Sequence, residues 1–543
     1  MRESIGRKPS QQRDERQFAP ELRTFDWLSA AILLEPVLAW RHDTRTIDAR
    51  LGTFLMGFKK RWIAYALLAL WISVGTWHVY KPMPPGTDIS TPAVSVAPSE
   101  VRFLYDLTYR TPQGKTVHEH SIFDEVFAIA DAAETFIVAD FFLINDLMGA
   151  ESAVYRPLSR QLVDRLLARK RADPDITILL VTDPINDVYG GMTSKLLDEL
   201  RAGGIDVVVT DLTYLRDSNP LYSPGWRIFV QRWGNAPDEG WLPNPFDTGP
   251  SRITLRSWLA LANFKANHRK LIVADRADGT LVGLVTSANP HDASSAHSNV
   301  AVRFTGALAQ ELIRSELAIA RFSGWRGHVY ASGKETTPVA DRNGAIQLAY
   351  LTEESIRDHL LDAIAGTRNG DAIRIATFYL SDRKVIDALL AAARRNVTVQ
   401  LILDPNRDAF GRQKDGVPNR PVANELVERS SGNIAVRWYR THGEQFHTKL
   451  ALITRSDRLI ASLGSANLTR RNIGNYNLEA NVALEMNLEQ PLATEMLDYF
   501  SRLWNNEGPL GTEYTAPFGA YRDEDDGKYW RYRLMEATGL STF

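Results

Sequence analysis

Two stretches decide the reading of this chain: His268-Arg269-Lys270-Leu271-Ile272-Val273-Ala274-Asp275 and His447-Thr448-Lys449-Leu450-Ala451-Leu452-Ile453-Thr454. Each opens with His and Lys two apart and continues as an aliphatic run of strand length. Residues two apart on a strand face the same way, so His and Lys project together while the aliphatic run anchors them in a core. After the first stretch, Asp278-Gly279 supplies a hairpin turn, and the return strand Leu281–Thr286 leads into Ser287-Ala288-Asn289. Its counterpart leads into Ser465-Ala466-Asn467. A single His-x-Lys commonly marks a surface strand. Two copies, each followed by Ser-Ala-Asn, mark a site.

Working outward, the elements before each stretch repeat. Helical spacing over 122–134 precedes a strand-like run at 135–142; then come a helix at 158–171, a strand at 176–182, a helix at 194–202 and a strand at 205–210. The order returns as helices at 356–365, 383–395 and 424–430, alternating with strands at 372–380, 397–403 and 434–439. Each copy carries DPxxD directly after its second strand, Asp183 to Asp187 and Asp404 to Asp408. Alternating helices and strands predict α/β sandwiches with covered sheets. The DPxxD segments lie 221 positions apart and the histidines only 179, so the first copy holds about 42 extra residues. These fall around 214–262 and include Trp226, Phe229, Trp233, Trp241, Phe246 and Trp258. They read either as a small subdomain with its own aromatic core or as a lip that contacts lipid.

The chain has 543 residues, 44% of them hydrophobic and 24% charged, with a formal net charge of −2. It therefore has no bulk positive field to recruit nucleic acid. The absence of cysteine removes disulfides, thiol catalysis and zinc–thiolate sites. Residues 1–61 carry 12 Lys+Arg against 8 Asp+Glu, so they form a basic N-terminal segment. Trp62 to Tyr80 then has no Asp, Glu, Lys or Arg in 19 positions, enough to span the hydrocarbon core at ~1.5 Å per helical residue. Lys59-Lys60-Arg61 on its N-terminal flank puts that flank in the cytoplasm and the large C-terminal part on the outer, periplasmic or extracellular, face. A shorter apolar stretch at 25–40 reads as an interfacial or packed helix; were it a second span, the body would return to the cytoplasm. Residues 81–100 read as a Pro/Ser/Thr linker, 101–330 and 345–506 as the two similar domains joined around 331–344, and 507–543 as a tail without an assigned role.

The paired motifs resemble the phospholipase D superfamily, whose signature is HxKxxxxD followed by a Gly/Ser-x-Asn element. The resemblance covers roughly residues 100–506. It implies two phospholipase D-like α/β sandwich domains forming a pseudo-dimer, here preceded by a transmembrane helix. It also implies catalysis by His268, Lys270, Asp275, His447 and Lys449, with Ser287, Asn289, Ser465, Asn467 and Glu479 supporting or binding phosphate. The second motif departs from the signature, with Thr454 at the Asp position and Asp457 three residues later. Asn477 and Glu479 fit the family's acidic element after the second motif, whereas the first copy offers Asn299 and then Ala301 where the acid is expected. By resemblance His268 is the nucleophile and His447 the acid; the residues alone leave that order open.

These residue types suit phosphodiester cleavage without a metal or other cofactor: one imidazole attacks phosphorus, the other protonates the leaving alkoxide, and Lys and Asn meet the charge that builds. Other constellations fall short. His118-Glu119-His120 lacks a third metal ligand at useful spacing and reads as a polar loop face. The Gly-Lys at 333–334 has the wrong spacing for a phosphate loop, and no GxSxG elbow occurs. The loop Lys414 to Arg420 reads as a solvated loop or a headgroup contact. The expectation is a membrane-anchored phosphodiesterase or transphosphatidylase acting on phospholipid, including cardiolipin synthase-like transfer. A superfamily nuclease and a noncatalytic tethered scaffold are the alternatives.

Overall fold

Aliphatic residues dominate the strands around both His-x-Lys stretches, as expected of strands covered on both faces. In the computed structural model these runs form the middle of two large sheets. The structure describes residues 48–147, 155–247, 249–329, 346–409, 412–523, 525–541 and 543, without the side chains of 48–59, 409, 412 and 510. The apolar stretch at 25–40 and the joint at 331–344 lie outside the described residues.

Two compact units make up the chain, Met1–Leu67 and Leu68–Phe543. Helix α1 (Asp48–Tyr80) begins in the first and ends in the second. Among the described residues it holds the one segment long and apolar enough to cross a membrane, Lys60–Tyr80.

The first sheet of the second unit contains β1 (Val101–Arg110), β2 (Thr116–Glu119), β3 (Phe136–Phe141), β4 (Thr177–Thr182), β5 (Asp206–Val209), β6 (Lys270–Asp275), β7 (Leu281–Thr286) and β8 (Asn299–Thr305), in the order β2-β1-β8-β7-β6-β3-β4-β5. The second contains β9 (Ile346–Thr352), β10 (Ala372–Thr377), β11 (Thr398–Leu403), β12 (Ile434–Tyr439), β13 (Lys449–Arg455), β14 (Arg458–Gly464), β15 (Ala480–Asn487) and β16 (Thr515–Pro517). Its order is β9-β15-β14-β13-β10-β11-β12-β16, with the short strand Val94–Val96 beside β9. Seven strands correspond position by position between the sheets, and in both the His-x-Lys strand lies antiparallel between the return strand and the first crossover strand.

Alternation along each strand sends neighbouring residues into different cores. Leu271 and Val273 of β6 join Leu450 and Leu452 of β13 in a core shared by the two sheets. Ile272 and Ala274 face α2 (Ile122–Asp131), α3 (Leu158–Ala172) and α4 (Lys195–Ala202), while Ala451 and Ile453 face α5 (Glu353–Ala365), α6 (Arg383–Arg394) and α7 (Asn419–Arg429). Truncating Leu271 or Leu450 to Ala would cost about 2–5 kcal/mol.

Two segments are more ordered than their composition suggests. The linker at 81–100 forms the strand Val94–Val96, and Asp88 N–H donates to Glu353 Oε2 at 2.6 Å. The tail adds β16 to the second sheet, and its helix Asp526–Thr538 buries Tyr532 in the second core together with Phe543. Glu536 in that helix accepts from Ser381 Oγ and Arg470 N–H, 2.9 Å each.

Candidate active site

Each histidine stands just before its strand, in a segment that crosses to the other half. Asn267 bridges in parallel to Leu478: His268 N–H donates to Leu478 O at 2.8 Å, and Leu478 N–H to Ala266 O at 3.0 Å. Ser298 bridges in the same way to Phe446, with Ser298 N–H donating to Gln445 O at 3.2 Å. The segment from one half thus carries the histidine, and the segment paired with it carries that ring's hydrogen-bond partner.

The partners differ. His268 Nδ1 lies 2.9 and 3.0 Å from the two oxygens of Glu479, which is fully buried and also accepts from Ser465 Oγ and Asn472 Nδ2. His447 Nδ1 lies 3.1 Å from Asn299 Oδ1, which also accepts from Ser287 Oγ at 2.9 Å, while Asn299 Nδ2 donates to His297 O. Both partner oxygens are acceptors, so each ring carries its hydrogen on Nδ1 and presents Nε2 as the free nitrogen.

The register corrects one expectation. Ser287 N–H donates to Val300 O and Ser465 N–H to Ala480 O, so Asn299, not Ala301, stands where Glu479 stands in the other half. The pairing of Asn299 with Asn477 suggested by their shared context was two residues out of step, because the segments are matched by the serine's hydrogen bond and not by local letters. Asn477 instead accepts from Ala266 N–H through its side chain.

Lys270 Nζ donates to His268 O at 2.6 Å and Lys449 Nζ to His447 O at 2.8 Å, so each Lys folds back beside its histidine. Phe142 packs edge-on against His268 and lies under Lys270, with its ring centre 5.0 Å from Nζ. Phe378 takes the equivalent place, 5.3 Å from the His447 ring and 5.5 Å from Lys449 Nζ. These two aromatic walls were not singled out from the sequence, although each directly follows the first crossover strand. Lys414, in the loop flagged above, reaches this wall and donates to Tyr379 Oη at 2.5 Å.

Asp275 does not join this group. It ends β6, about 17 Å along the strand from Lys270, where it accepts from the N–H groups of Glu134, Thr135 and Phe136. Its work is to pin the far end of β6 to the start of β3. The Thr454 hydroxyl makes a weaker link there, donating to Ala372 O at 3.3 Å. Asn289 Oδ1 accepts from Leu143 N–H beside the Phe142 wall, and the buried Asn467 Oδ1 has no protein partner among the described residues.

Behind the site, the first Asp of each DPxxD accepts from the residue preceding the histidine: Asn267 N–H to Asp183 at 2.7 Å, Phe446 N–H to Asp404 at 2.8 Å. Arg269, fully buried, donates to Ser315, Glu316 and Glu353. Glu353 Oε1 also accepts from Glu479 N–H at 3.0 Å, so one carboxylate steadies both the His268 strand and the partner of His268.

Burial and mutual repulsion set the electrostatics. Burial lowers the His268 pKa to about 4, with Glu479 opposing and Lys270 adding to the shift. His447 is held well below the usual range by burial and by Lys449, His297, Lys270 and His268. Burial lowers Lys270 to about 7, and Lys449 is depressed by burial and by Lys270. Burial alone would raise Glu479, but His268 and Lys270 hold it below the usual carboxylate range. Burial thus depresses both lysines and both imidazoles, and the lysines lower the two rings further, a balance that a bound anion would offset. Elsewhere Glu119 pairs with Arg502 and His118 bonds to Thr108, and the described residues hold no cluster of three or more His, Asp or Glu suited to a metal.

Residues 345–504 match the family described as cardiolipin synthase, PLD-like domain. That segment, which contains the second His-x-Lys stretch, is a phospholipase D-like domain. Among solved structures the chain is similar to phosphatidylserine synthase from Haemophilus influenzae Rd KW20, at 10% identity over 82% of this chain and 94% of that one, with a TM-score of 0.49. It is also similar to polyphosphate kinase from Porphyromonas gingivalis (12% identity, 74% and 50% covered, TM-score 0.39). A third is Nuc, a phospholipase D family member from Salmonella typhimurium (24% identity, 30% and 93% covered, TM-score 0.23). These likenesses bear on neither activity nor substrate. No curated protein matches the chain.

Proposed function

We propose that the protein is a membrane-anchored phosphodiesterase or phosphatidyltransferase acting on phospholipid, with residues 101–330 and 345–506 as two related domains that share one active site. The observation that carries this reading is the pair of imidazoles, each Nδ1 bound by a residue from the opposite half and each backed by its own lysine. His268 Nε2 attacks phosphorus and the bond to the headgroup oxygen breaks. His447, protonated once the substrate anion is bound, gives its Nε2 proton to that oxygen. Water or an acceptor alcohol then loses a proton to His447 and attacks phosphorus, and the P–N bond to His268 breaks. Hydrolysis gives phosphatidic acid; alcohol gives a new phosphodiester, which is cardiolipin synthase-like chemistry when the alcohol is a glycerophospholipid headgroup.

The unequal partners support this order. The attacking ring becomes a cation for the lifetime of the intermediate, and Glu479 stabilises that charge. The acid has to release its proton, and the neutral Asn299 orients His447 without retaining it. Lys270, Lys449, Asn289 and Asn467 meet the nonbridging oxygens as charge builds. No step calls for a metal. The family match to a cardiolipin synthase-type domain and the apolar helix 60–80 favour lipid as substrate, and the basic flank Lys59-Lys60-Arg61 favours a catalytic body on the outer face.

The test is incubation of the full chain in detergent or vesicles with mixed phospholipids, with and without glycerol or ethanol, beside single-stranded DNA. Phosphatidic acid or an exchanged lipid is expected. Nucleotide release without lipid turnover would replace this reading with a nuclease.

A further inference from the structure

The extra segment of the first half meets α1 along the last ten residues of that helix. Glycines allow the close approach. A carbon added at Gly225 would sit 2.5 Å from the Trp71 ring, and one added at Gly75 would sit 3.1 Å from Pro224. Polar contacts fix the end of the helix: Asp217 N–H donates to His78 O at 2.8 Å, Lys81 Nζ to Thr213 O at 3.0 Å, and Arg216 Nε to Lys81 O at 2.7 Å. Trp71 precedes Tyr80 by nine residues, about 13 Å along the axis. A headgroup layer is thinner than that, so a helix that spans the bilayer over 60–80 brings whatever touches Trp71 below the headgroups.

What touches it is dressed for lipid. Leu221 and Phe229, on either side of Gly225, are 58% and 55% exposed, and Trp233 beyond them is 49% exposed. Arg227, one turn from the contact, turns inward and is neutralised by Asp217, with bonds of 2.6 and 2.8 Å; Lys265 reaches the same carboxylate at 2.6 Å. Arg232 is exposed beside Trp233, where a guanidinium can reach phosphate level. The exposed Asp238 and Glu239 end the apolar stretch.

We propose that residues 221–233 insert into the same bilayer leaflet as the C-terminal half of α1, so that the catalytic body docks on lipid by an aromatic lip and does not merely hang from a tether. This rests on the membrane-anchored reading above. From the lip the chain runs through Lys265, clamped on Asp217, and reaches His268 three residues later. The surface that meets the leaflet is thereby joined to the attacking ring, and substrate would be drawn from that leaflet.

The chain has no cysteine, which makes single-site labelling direct. Phe229→Cys, Asp238→Cys and Leu70→Cys, all at exposed positions, would each carry an environment-sensitive fluorophore in the full chain, reconstituted in vesicles of phosphatidylethanolamine and phosphatidylglycerol. Nitroxides on the acyl chains should quench the label at 229 several-fold more than aqueous iodide does, and the label at 238 should show the reverse. If the label at 70 is in lipid while that at 229 behaves like 238, the lip is refuted and the anchor stands. If the label at 70 is also aqueous, both readings fall.

Discussion

His268 and His447 occupy matching backbone positions but answer to different partners, Glu479 and Asn299. His268→Ala and His447→Ala should each lower turnover of a phospholipid by at least about 10³-fold with the far-UV circular dichroism unchanged. Glu479→Gln removes only a charge-assisted bond and should cost about 10–100-fold, consistent with ~1.5–3 kcal/mol. Asn299→Asp sets a carboxylate beside His447, raises its pKa, and should move the alkaline limb of the pH–rate profile upward. A second outcome follows from Lys270, whose pKa stands at about 7 through burial. An oxyanion beside it favours the charged form. At pH 8 binding of tungstate should therefore take up protons, and its affinity should weaken as pH rises above 7; calorimetry in buffers of different ionisation enthalpy measures the uptake.

At the scale of elements, the same motif residues divide into chemistry and carpentry. Asp275→Ala strips three backbone N–H groups of their acceptor at the far end of β6 and should destabilise the fold by about 3 kcal/mol. At a temperature where the variant remains folded, turnover should fall less than about tenfold, unlike the histidine variants; chemical denaturation paired with activity separates the two effects. The strands at 135–142, 176–182 and 397–403 were legible because aliphatic runs bounded by turn residues have few other uses. The faces of His268 and Lys270 followed from the period of two. What the letters did not give were the cross-half pairs. Asn299 meets His447 across 148 residues through a parallel bridge that no local pattern encodes, so its equivalence to Glu479 emerged only from the serine's hydrogen bonds. Asp183 and Asp404 were visible as a repeated DPxxD, but their grip on Asn267 and Phe446 was not.

Across the whole molecule, the two sheets share one core and one pair of rings, and segments that read as connectors join them further. The linker reaches the Glu353 carboxylate that also holds Arg269 and Glu479, and the tail completes the second sheet and core. Polar composition hid both, since short strands and a single buried Tyr or Phe barely alter a local average. The central claim is that one half attacks phosphorus and the other protonates the leaving group. A radiolabelled phosphatidyl ester of p-nitrophenol needs no acid to depart, so it isolates the attack. Quenched in alkali, where phosphohistidine survives, the His447→Ala chain should hold the label on the peptide containing His268, formed quickly and released slowly. Label on the His447 peptide of the unaltered chain, or none on either peptide in any variant that still turns over, would contradict it.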